Sequence, residues 1–196
     1  MADMQGLGPC AARRVGSNPT LPTKIDKRFN REYFVEMDLL FNSSFGLKLT
    51  TTQVVAEILR FMAADPKRKY KVVIGTDSEW LQNKNADFVT AIVVHRIGNG
   101  GRYFWRRLQS GKFHTLRDRI IKEVMFSLET AHLVLKELKK DSTGDNWSFE
   151  IHADIGEKGK TSVLIQEVVG IIRANNFEVR TKPESYAASK VADRHV

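Results

Sequence analysis

Cysteine is almost absent from this chain of 196 residues, which carries a single one, Cys10. One thiol excludes a disulfide framework and a zinc site built from thiolates, and it is typical of a protein in a reducing, intracellular setting. The chain also lacks any run approaching the roughly 18 apolar residues that span a bilayer, and its first residues lack the apolar stretch of a signal peptide. We therefore expect a cytoplasmic protein with no membrane partner.

Acidic residues are fewer than basic residues. The chain has 31 Lys and Arg and 23 Asp and Glu, which gives a formal net charge of +8. Such a charge attracts anionic partners at long range, which favours nucleic acid or an acidic protein surface. A hydrophobic content of 42% suffices for the core of one domain. Residues 1–24 mix Gly, Pro, Ser and Arg without periodicity and are predicted to be a disordered leader. Residues 25–196 are predicted to be a single domain with an N-terminal helical extension.

Hydrophobic periodicity predicts five strands and four helices. The strands are "KVVIGTDSEW", "DFVTAIVVHRI", "RYFWRRLQS", "WSFEIHAD" and "FEVRTKP". The helices are "LTTTQVVAEILRFMAADP", a long segment from Thr115 to about Lys140, "TSVLIQEVVGIIRANN", and a last one from Glu184 towards Val196. The segment "FNREYFVEMDLLFNSSFG" is interpreted as irregular. This order predicts an α/β fold whose mixed sheet has antiparallel strands 1–3 and parallel strands 4–5, flanked by helices.

Several carboxylates stand where such a fold would bring them together. Asp77 and Asp154 each end a predicted strand, and Asp193 lies in a last helix whose alanines allow close approach to the sheet. On the long helix, Glu123 lies roughly 90° from the centre of the apolar face, whereas Glu129 lies roughly 150° away and is predicted to face solvent. Oxygen ligands of this kind suit Mg²⁺ or Mn²⁺. The alternative is that they are turn and cap residues of a mixed sheet.

Five segments of the chain resemble those of a known family. They are "IGTDSE", "FVTAIVVHRIGNGG", "TLRDRIIKEV", "IHADIG" and "SYAASKVADRH", and they resemble the bacterial YkuK-like proteins of the ribonuclease H-like nuclease and resolvase superfamily. The resemblance covers about residues 50 to 196. It implies a ribonuclease H-like five-stranded sheet and an active site of Asp77, Glu123, Asp154 and Asp193 with two Mg²⁺ or Mn²⁺ ions.

Four further residues are possible accessories to that site: Ser78, Glu79, Glu129 and His195. Glu79 departs from the family pattern, and it faces the same side as Asp77 if the first strand continues. Its alternative is an exposed carboxylate beside Trp80. Glu129 is the rival to Glu123 as the helix ligand. A helix would turn His195 about 200° from Asp193, so we expect His195 to be solvated rather than to carry a proton in the site.

Basic residues cluster around the third predicted strand and after Asp154, and they are candidates to grip phosphates. The nucleic-acid-binding set is Arg106, Arg107, Lys112, Arg117, Arg119, Lys158 and Lys160. Aromatic residues are interleaved with the first of these, and strand alternation puts Tyr103 and Trp105 on one face and Phe104 on the other. The alternatives are a solvated basic face and aromatic rings that belong to the core.

We expect a metal-dependent nuclease that hydrolyses phosphodiester bonds by a two-metal mechanism. The alternatives are a catalytically inactive ribonuclease H-like module that binds nucleic acid, and a protein-interaction domain with a basic face. Only nucleic-acid binding should weaken steeply with salt, through the loss of counterion release. RNA, an RNA/DNA hybrid and structured DNA all stay open as substrates, and the sequence does not indicate an oligomeric state.

Overall fold

The structure is a computed structural model, and it describes residues 39–141, 146–159 and 161–196. The predicted leader, the residues that follow it up to position 38, and the candidate phosphate contact Lys160 lie outside these ranges. Residues 39–196 fall in one compact unit. Across the described ranges, no helix is both long enough and apolar enough to cross a membrane.

A mixed sheet of seven strands lies at the centre of the described part of the chain. The strands are β1 (Phe41–Ser43), β2 (Lys48–Leu49), β3 (Tyr70–Trp80), β4 (Ala86–Arg96), β5 (Gly101–Ser110), β6 (Trp147–Ala153) and β7 (Glu178–Arg180). Their order in the sheet is β2-β1-β5-β4-β3-β6-β7. β3, β4 and β5 form an antiparallel meander, and β6 and β7 run parallel to β3. The predicted α/β class and the orientations of its five strands are confirmed.

The predicted count of five strands is wrong, because part of the segment interpreted as irregular pairs with the edge of the sheet. β1 and β2 form a short hairpin in which the Leu47 carbonyl accepts the Ser43 N–H at 2.8 Å. β1 then pairs with β5, with Asn42 opposite Trp105. Strands of two or three residues are too short to show alternation in sequence. Their pairing depends on an open edge of β5, which only the folded sheet provides.

Three α-helices supply the main core on one face of the sheet: α1 (Thr51–Ala63), α2 (Leu116–Asp141) and α3 (Ile165–Ala174). Thr50 begins α1 with a capping box, in which its hydroxyl accepts the Gln53 N–H at 3.3 Å and the Gln53 side chain accepts the Thr50 N–H at 2.9 Å. The segment predicted to start the third helix at Thr161 forms a 3₁₀ turn, Ser162–Leu164, before α3.

The chain terminus packs on the opposite face of the sheet. It is helical as predicted, but it consists of a π-helix, Ala187–Ala192, followed by a 3₁₀ turn, Asp193–His195. Ala187 packs against Val73 and Val93, and Ala192 packs against Val89 in the next row. Alanine side chains let this segment approach the strands closely, because little volume separates its backbone from the sheet.

Replacing Ile74 with Ala should destabilise the protein by about 2–5 kcal/mol, because it leaves a cavity in the central strand. Ile74 is 0% exposed on β3, between β4 and β6. The matched control is Ile97→Ala, in the turn after β4 where the side chain is 46% exposed, with an expected change within about 0.5 kcal/mol. Urea denaturation measures both. Equal losses in the two variants would contradict the placement of Ile74 in the core.

Candidate active site

The register of the parallel pair β3 and β6 brings Asp77 and Asp154 side by side. Asp154 directly follows β6, whereas β3 continues past Asp77 to Trp80, so the prediction that Asp77 ends its strand is wrong. Thr76 lies opposite Ala153 in that pair, so Asp77 and Asp154 are the next residues on neighbouring strands. Neighbouring strands lie about 4.8 Å apart. The two residues therefore occupy one end of the sheet, and both follow the alternation that directs their side chains to the face covered by the C-terminal segment.

Asp193 comes to the same place from the C-terminal segment. Its 3₁₀ turn directly follows the π-helix that packs on β3 and β4 through Ala187 and Ala192. Burial raises the pKa of the Asp77 carboxyl to about 6, and the negative charges of Asp154 and Asp193 add to that rise. The N–H of Ser78 and the charge of Arg119 act in the opposite direction. Asp77 is thus the centre of a group of interacting carboxylates.

Glu123 approaches from the helix-covered face and is 7% exposed. The Ser78 hydroxyl donates a hydrogen bond of 2.5 Å to its Oε1 atom. Burial, together with the nearby charges of Asp77 and Asp154, raises the pKa of Glu123 to about 8, against the lowering effects of Ser78 and Arg119. The charges of all three carboxylates therefore interact although their side chains come from three elements.

A chain of hydroxyl groups fixes α2 against the sheet one turn beyond Glu123. Ser127 donates to Thr76 at 2.8 Å, and Thr76 lies 3.0 Å from the Thr90 hydroxyl. All three residues are buried. Since a buried hydroxyl without a partner is costly, this network favours one position of α2 along β3. The position of the Glu123 carboxylate follows from it.

Glu129 does not face solvent, so that prediction from helical phase is wrong. It is half-buried, and its charge interacts with that of Arg106 on β5. The sheet extends past β4 to β5. β5 therefore lies against a side of α2 that the apolar positions in the sequence did not mark as packed. Six residues of α-helix separate Glu129 from Glu123, a rise of about 9 Å. Glu123 and Glu129 therefore lie in different environments.

The remaining accessory candidates divide between the site and its surroundings. Ser78 is buried and bonded to Glu123, whereas Glu79 is exposed on the same face as Asp77 near the end of β3. His195 is not solvated as expected: its ring stacks on Trp105 with centroids 4.2 Å apart and 9° between planes. Burial lowers the pKa of His195, with a further lowering from Arg194. The turn around His195 is 3₁₀ rather than α, which changes the direction of its side chain.

The carboxylates carry the donor chemistry for a divalent cation, but Asp154 and Glu123 have other partners in this structure. Within the described ranges, no three His, Cys, Asp or Glu side chains are grouped as a metal site. Asp154 Oδ2 lies 2.9 Å from Lys182 Nζ, and Glu123 is bonded to Ser78. Asp154 Oδ1 is buried without a hydrogen-bond partner among the described residues. An orphaned carboxylate oxygen beside other carboxylates fits a hard cation such as Mg²⁺ or Mn²⁺.

Arginines of the predicted phosphate-binding set are engaged with groups of the protein itself. Arg107 pairs with the buried carboxylate of Asp87, and Arg117 Nε lies 3.0 Å from Glu167 Oε2. Arg119 donates to the carbonyl and, at 2.9 Å, to the hydroxyl of Ser78. These partners are 20 to 50 residues away in sequence, so composition alone could not reveal them. The side chains of Arg107 and Arg117 nevertheless remain 49% and 57% exposed.

Lysines of the same set remain at the surface. Lys112, in the loop after β5, and Lys158, in the loop after β6, are exposed, and no ion pair of either is found within the described residues. Tyr103 and Trp105 pack under the C-terminal segment, and Phe104 belongs to the main core. The aromatic rings of β5 are thus structural, as the alternative interpretation had it.

The sequence analysis missed an ion network beneath the C-terminal segment. Glu150 is 2% exposed, and it lies 2.8 Å from His152 Nε2 and 3.0 Å from Lys71 Nζ. Burial acts to raise the pKa of Glu150, but the hydrogen bonds and charges of these partners lower it to about 2. The Ala187 N–H donates to His152 Nδ1 at 3.2 Å, which ties the segment that carries Asp193 to β6. The alternation of Glu150 and His152 on one face of "FEIHAD" was the available sequence pattern.

Without metal, the free energy of unfolding should fall as the pH rises from about 4.5 to 8. The pKa of Glu123 is raised from an ordinary 4.5 to about 8, so the native state favours the protonated form and its stabilising effect is lost across that window. Asp77 contributes in the same direction between pH 3.8 and about 6. Glu123→Gln should reduce the fall by at least about 1.4 kcal/mol, the equivalent of one pKa unit.

Urea denaturation in EDTA at several pH values measures this effect. Glu129→Gln is the matched control, and it should keep the dependence of the unmodified protein. A free energy of unfolding that declines equally in the Glu123→Gln variant would show that this carboxyl is ionised in the native state.

The comparisons with known proteins agree with the fold. Residues 53–196 match the ribonuclease H-like family. The chain is also similar to a protein of Bacillus subtilis strain 168 named "Uncharacterized protein YkuK", with 34% identity over 168 residues that cover 79% of this chain and 95% of that protein. No solved structure matches the chain significantly. With a family match over most of its length and a relative at this identity, the chain belongs to the ribonuclease H-like family, as its sequence motifs indicated.

Proposed function

We propose that this protein is a metal-dependent nuclease that hydrolyses nucleic-acid phosphodiester bonds with two Mg²⁺ or Mn²⁺ ions. The observation that carries the proposal is the position of Asp77, whose pKa is raised to about 6 by burial and by the carboxylates of Asp154 and Asp193. Glu123 adds a fourth carboxylate whose pKa is also raised. Like charges brought together in a partly buried place reduce stability, and a divalent cation reverses that effect. Such clusters are typical of functional sites.

The proposed role of each residue follows from the strand or helix that carries it. Asp77 and Asp154 would hold the ions from adjacent strands. Glu123 would do so from α2 on one face of the sheet, and Asp193 from the C-terminal segment on the other face. Bound divalent cations supply Lewis-acid activation of the phosphodiester and of the attacking water. Arg119 holds the Ser78 carbonyl and hydroxyl and lies 5.4 Å from the centre of the Trp80 ring, so it keeps the end of β3 in place while contributing positive charge.

Nucleic acid is the substrate class that the charge of the protein favours. The formal net charge is +8, and Lys112 and Lys158 leave the sheet at the end where Asp77 and Asp154 lie. Exposed lysines at that end can neutralise phosphates on either side of a cleavage point. RNA, an RNA/DNA hybrid and structured DNA all present such phosphates, and cleavage by the protein itself has to decide among them.

Purified protein should cut at least one member of a panel of labelled nucleic acids in Mn²⁺ and none in EDTA. The panel contains single-stranded and duplex DNA, RNA, an RNA/DNA hybrid and a four-way junction. Asp77→Asn should lower the rate by at least about 100-fold, because it removes a carboxylate that would hold the proposed ions. Asp65→Asn, in the turn before β3 at the opposite end of that strand, is the matched control and should retain the rate.

Two further comparisons sharpen the result. Glu123→Gln should lose activity as Asp77→Asn does, whereas Glu129→Gln should not, since Glu129 lies with Arg106. Salt-sensitive binding without any cutting would instead support a nucleic-acid-binding module that lacks turnover. Cutting that persists at the same rate in Asp77→Asn would assign the activity to a contaminant and overturn the proposal.

The lysines at the site end should control affinity rather than the metal-dependent step. Lys112→Ala combined with Lys158→Ala should weaken oligonucleotide binding in EDTA and lower the slope of log affinity against log salt by about 1 to 2, one unit for each lost phosphate contact. The control combines Lys136→Ala with Lys139→Ala, two exposed lysines near the other end of α2. Fluorescence anisotropy at several salt concentrations measures the slopes. Equal slopes in the two double variants would place the binding surface elsewhere.

A further inference from the structure

Lys182 lies in the same row of residues as Asp77 and Asp154. β7 pairs with β6 so that His152 lies opposite Arg180, and two residues further along Asp154 comes beside Lys182. On the other side of β6, the register with β3 brings Asp77 beside Asp154. A row across three adjacent parallel strands thus consists of Asp77 in β3, Asp154 after β6 and Lys182 after β7, and the positive charge stands at one end of the row.

The backbone and stem of Lys182 are held in this position by several contacts. Its N–H donates to the Ile155 carbonyl at 2.8 Å. Its side chain packs over Gly156, where an added Cβ atom would lie 3.0 Å from Lys182 Cβ. The ammonium group then lies 2.9 Å from Asp154 Oδ2. A side chain anchored at its base and bonded at its tip has fewer conformations to lose than a surface lysine, so its ion pair is easier to maintain.

Of the two carboxylate oxygens of Asp154, one has a partner among the described residues and the other has none. Lys182 occupies Oδ2, while Oδ1 is buried without a hydrogen-bond partner within the described part of the chain. A divalent cation on Asp154 would stand a few ångströms from the ammonium group, where two positive charges repel each other strongly. Occupation of Asp154 by a metal and by Lys182 is therefore antagonistic.

We propose that Lys182 is a resident cation of the candidate site, which competes with a divalent metal ion for Asp154 and is displaced when the metal binds. This inference rests on the proposed function, because it takes Asp154 as a metal ligand. Lys182 stabilises the carboxylate row when no metal is present, and it lowers the affinity of the site for metal by the same interaction. Its side chain is 51% exposed, so the displaced ammonium group has open solvent to move into.

Calorimetric titration of metal-free protein with Mn²⁺ tests the competition directly. Lys182→Met keeps most of the stem that packs over Gly156 and removes the charge, and it should bind Mn²⁺ about fivefold more tightly, as expected from the loss of one partly exposed ion pair. Lys182→Arg restores the charge and should return the affinity to within about twofold of the unmodified protein. Lys136→Met is the matched control, since it makes the same change about 20 Å further along α2 from Glu123. Unchanged or weaker Mn²⁺ binding by Lys182→Met overturns the proposal.

Thermal unfolding gives a second readout that does not depend on activity. In EDTA, Lys182→Met should melt at a lower temperature than the unmodified protein, because Asp154 loses its ion-pair partner. In saturating Mn²⁺ the two melting temperatures should coincide, so the stabilisation by metal is larger in the variant. A difference that persists unchanged in Mn²⁺ would show that Lys182 and the metal do not exclude each other, and it overturns the proposal.

The outcomes separate this inference from the proposed function. Tighter Mn²⁺ binding by Lys182→Met, with no cleavage of any nucleic acid by the unmodified protein, supports the competition and contradicts the nuclease. Metal-dependent cleavage that disappears in Asp77→Asn, with the same Mn²⁺ affinity in Lys182→Met, supports the nuclease and overturns the competition. Absence of Mn²⁺ binding in every variant overturns both.

Discussion

The register between the parallel strands β3 and β6 is the constraint on which the candidate site depends. Because Thr76 lies opposite Ala153, Asp77 and Asp154 become neighbours, and both face the side covered by the C-terminal segment. A slip of one residue would turn Asp154 to the other face of the sheet, since side chains alternate along a strand. Buried apolar side chains on both faces of β3, Val73 on one and Ile74 on the other, oppose such a slip. Core packing therefore fixes the geometry of the site.

Two acidic centres among the described residues have opposite charge balance. Glu150 is surrounded by His152, Lys71 and, at 3.5 Å, Arg180. Its pKa falls to about 2 because the hydrogen bonds and charges of His152 and Lys71 outweigh the effect of burial. Asp77 has carboxylate neighbours instead, and its pKa rises to about 6. A centre with matched charges holds a structure together, and here it anchors the C-terminal segment through His152. A centre with an excess of one charge favours a ligand of the other sign.

Assembly of the carboxylates requires both faces of the sheet to be covered correctly. α2 brings Glu123 from one side, held by the hydrogen bonds of Ser127 to Thr76 and of Ser78 to Glu123. The C-terminal segment brings Asp193 from the other side, held by alanine packing against β3 and β4. α2 and the C-terminal segment are held by different interactions. Hydrogen bonds of hydroxyl groups are directional, whereas alanine packing depends on close approach. The site thus depends on the contacts of the C-terminal segment as well as on those of α2.

The sequence by itself determined the class of fold and the residues at the strand ends. Alternation and helical periodicity are local properties, so β3 to β7 and α1 to α3 were predictable, as was the position of Asp77 and Asp154 at one end of the sheet, although β3 continues past Asp77 to Trp80. The tertiary structure alone decided the rest, because it depends on contacts between distant residues. The β1 and β2 hairpin needed the edge of β5, and Glu129 found Arg106 across the width of the sheet. Likewise, the partner of each basic side chain, including Lys182 on Asp154, follows from strand register and helix packing that no local pattern encodes.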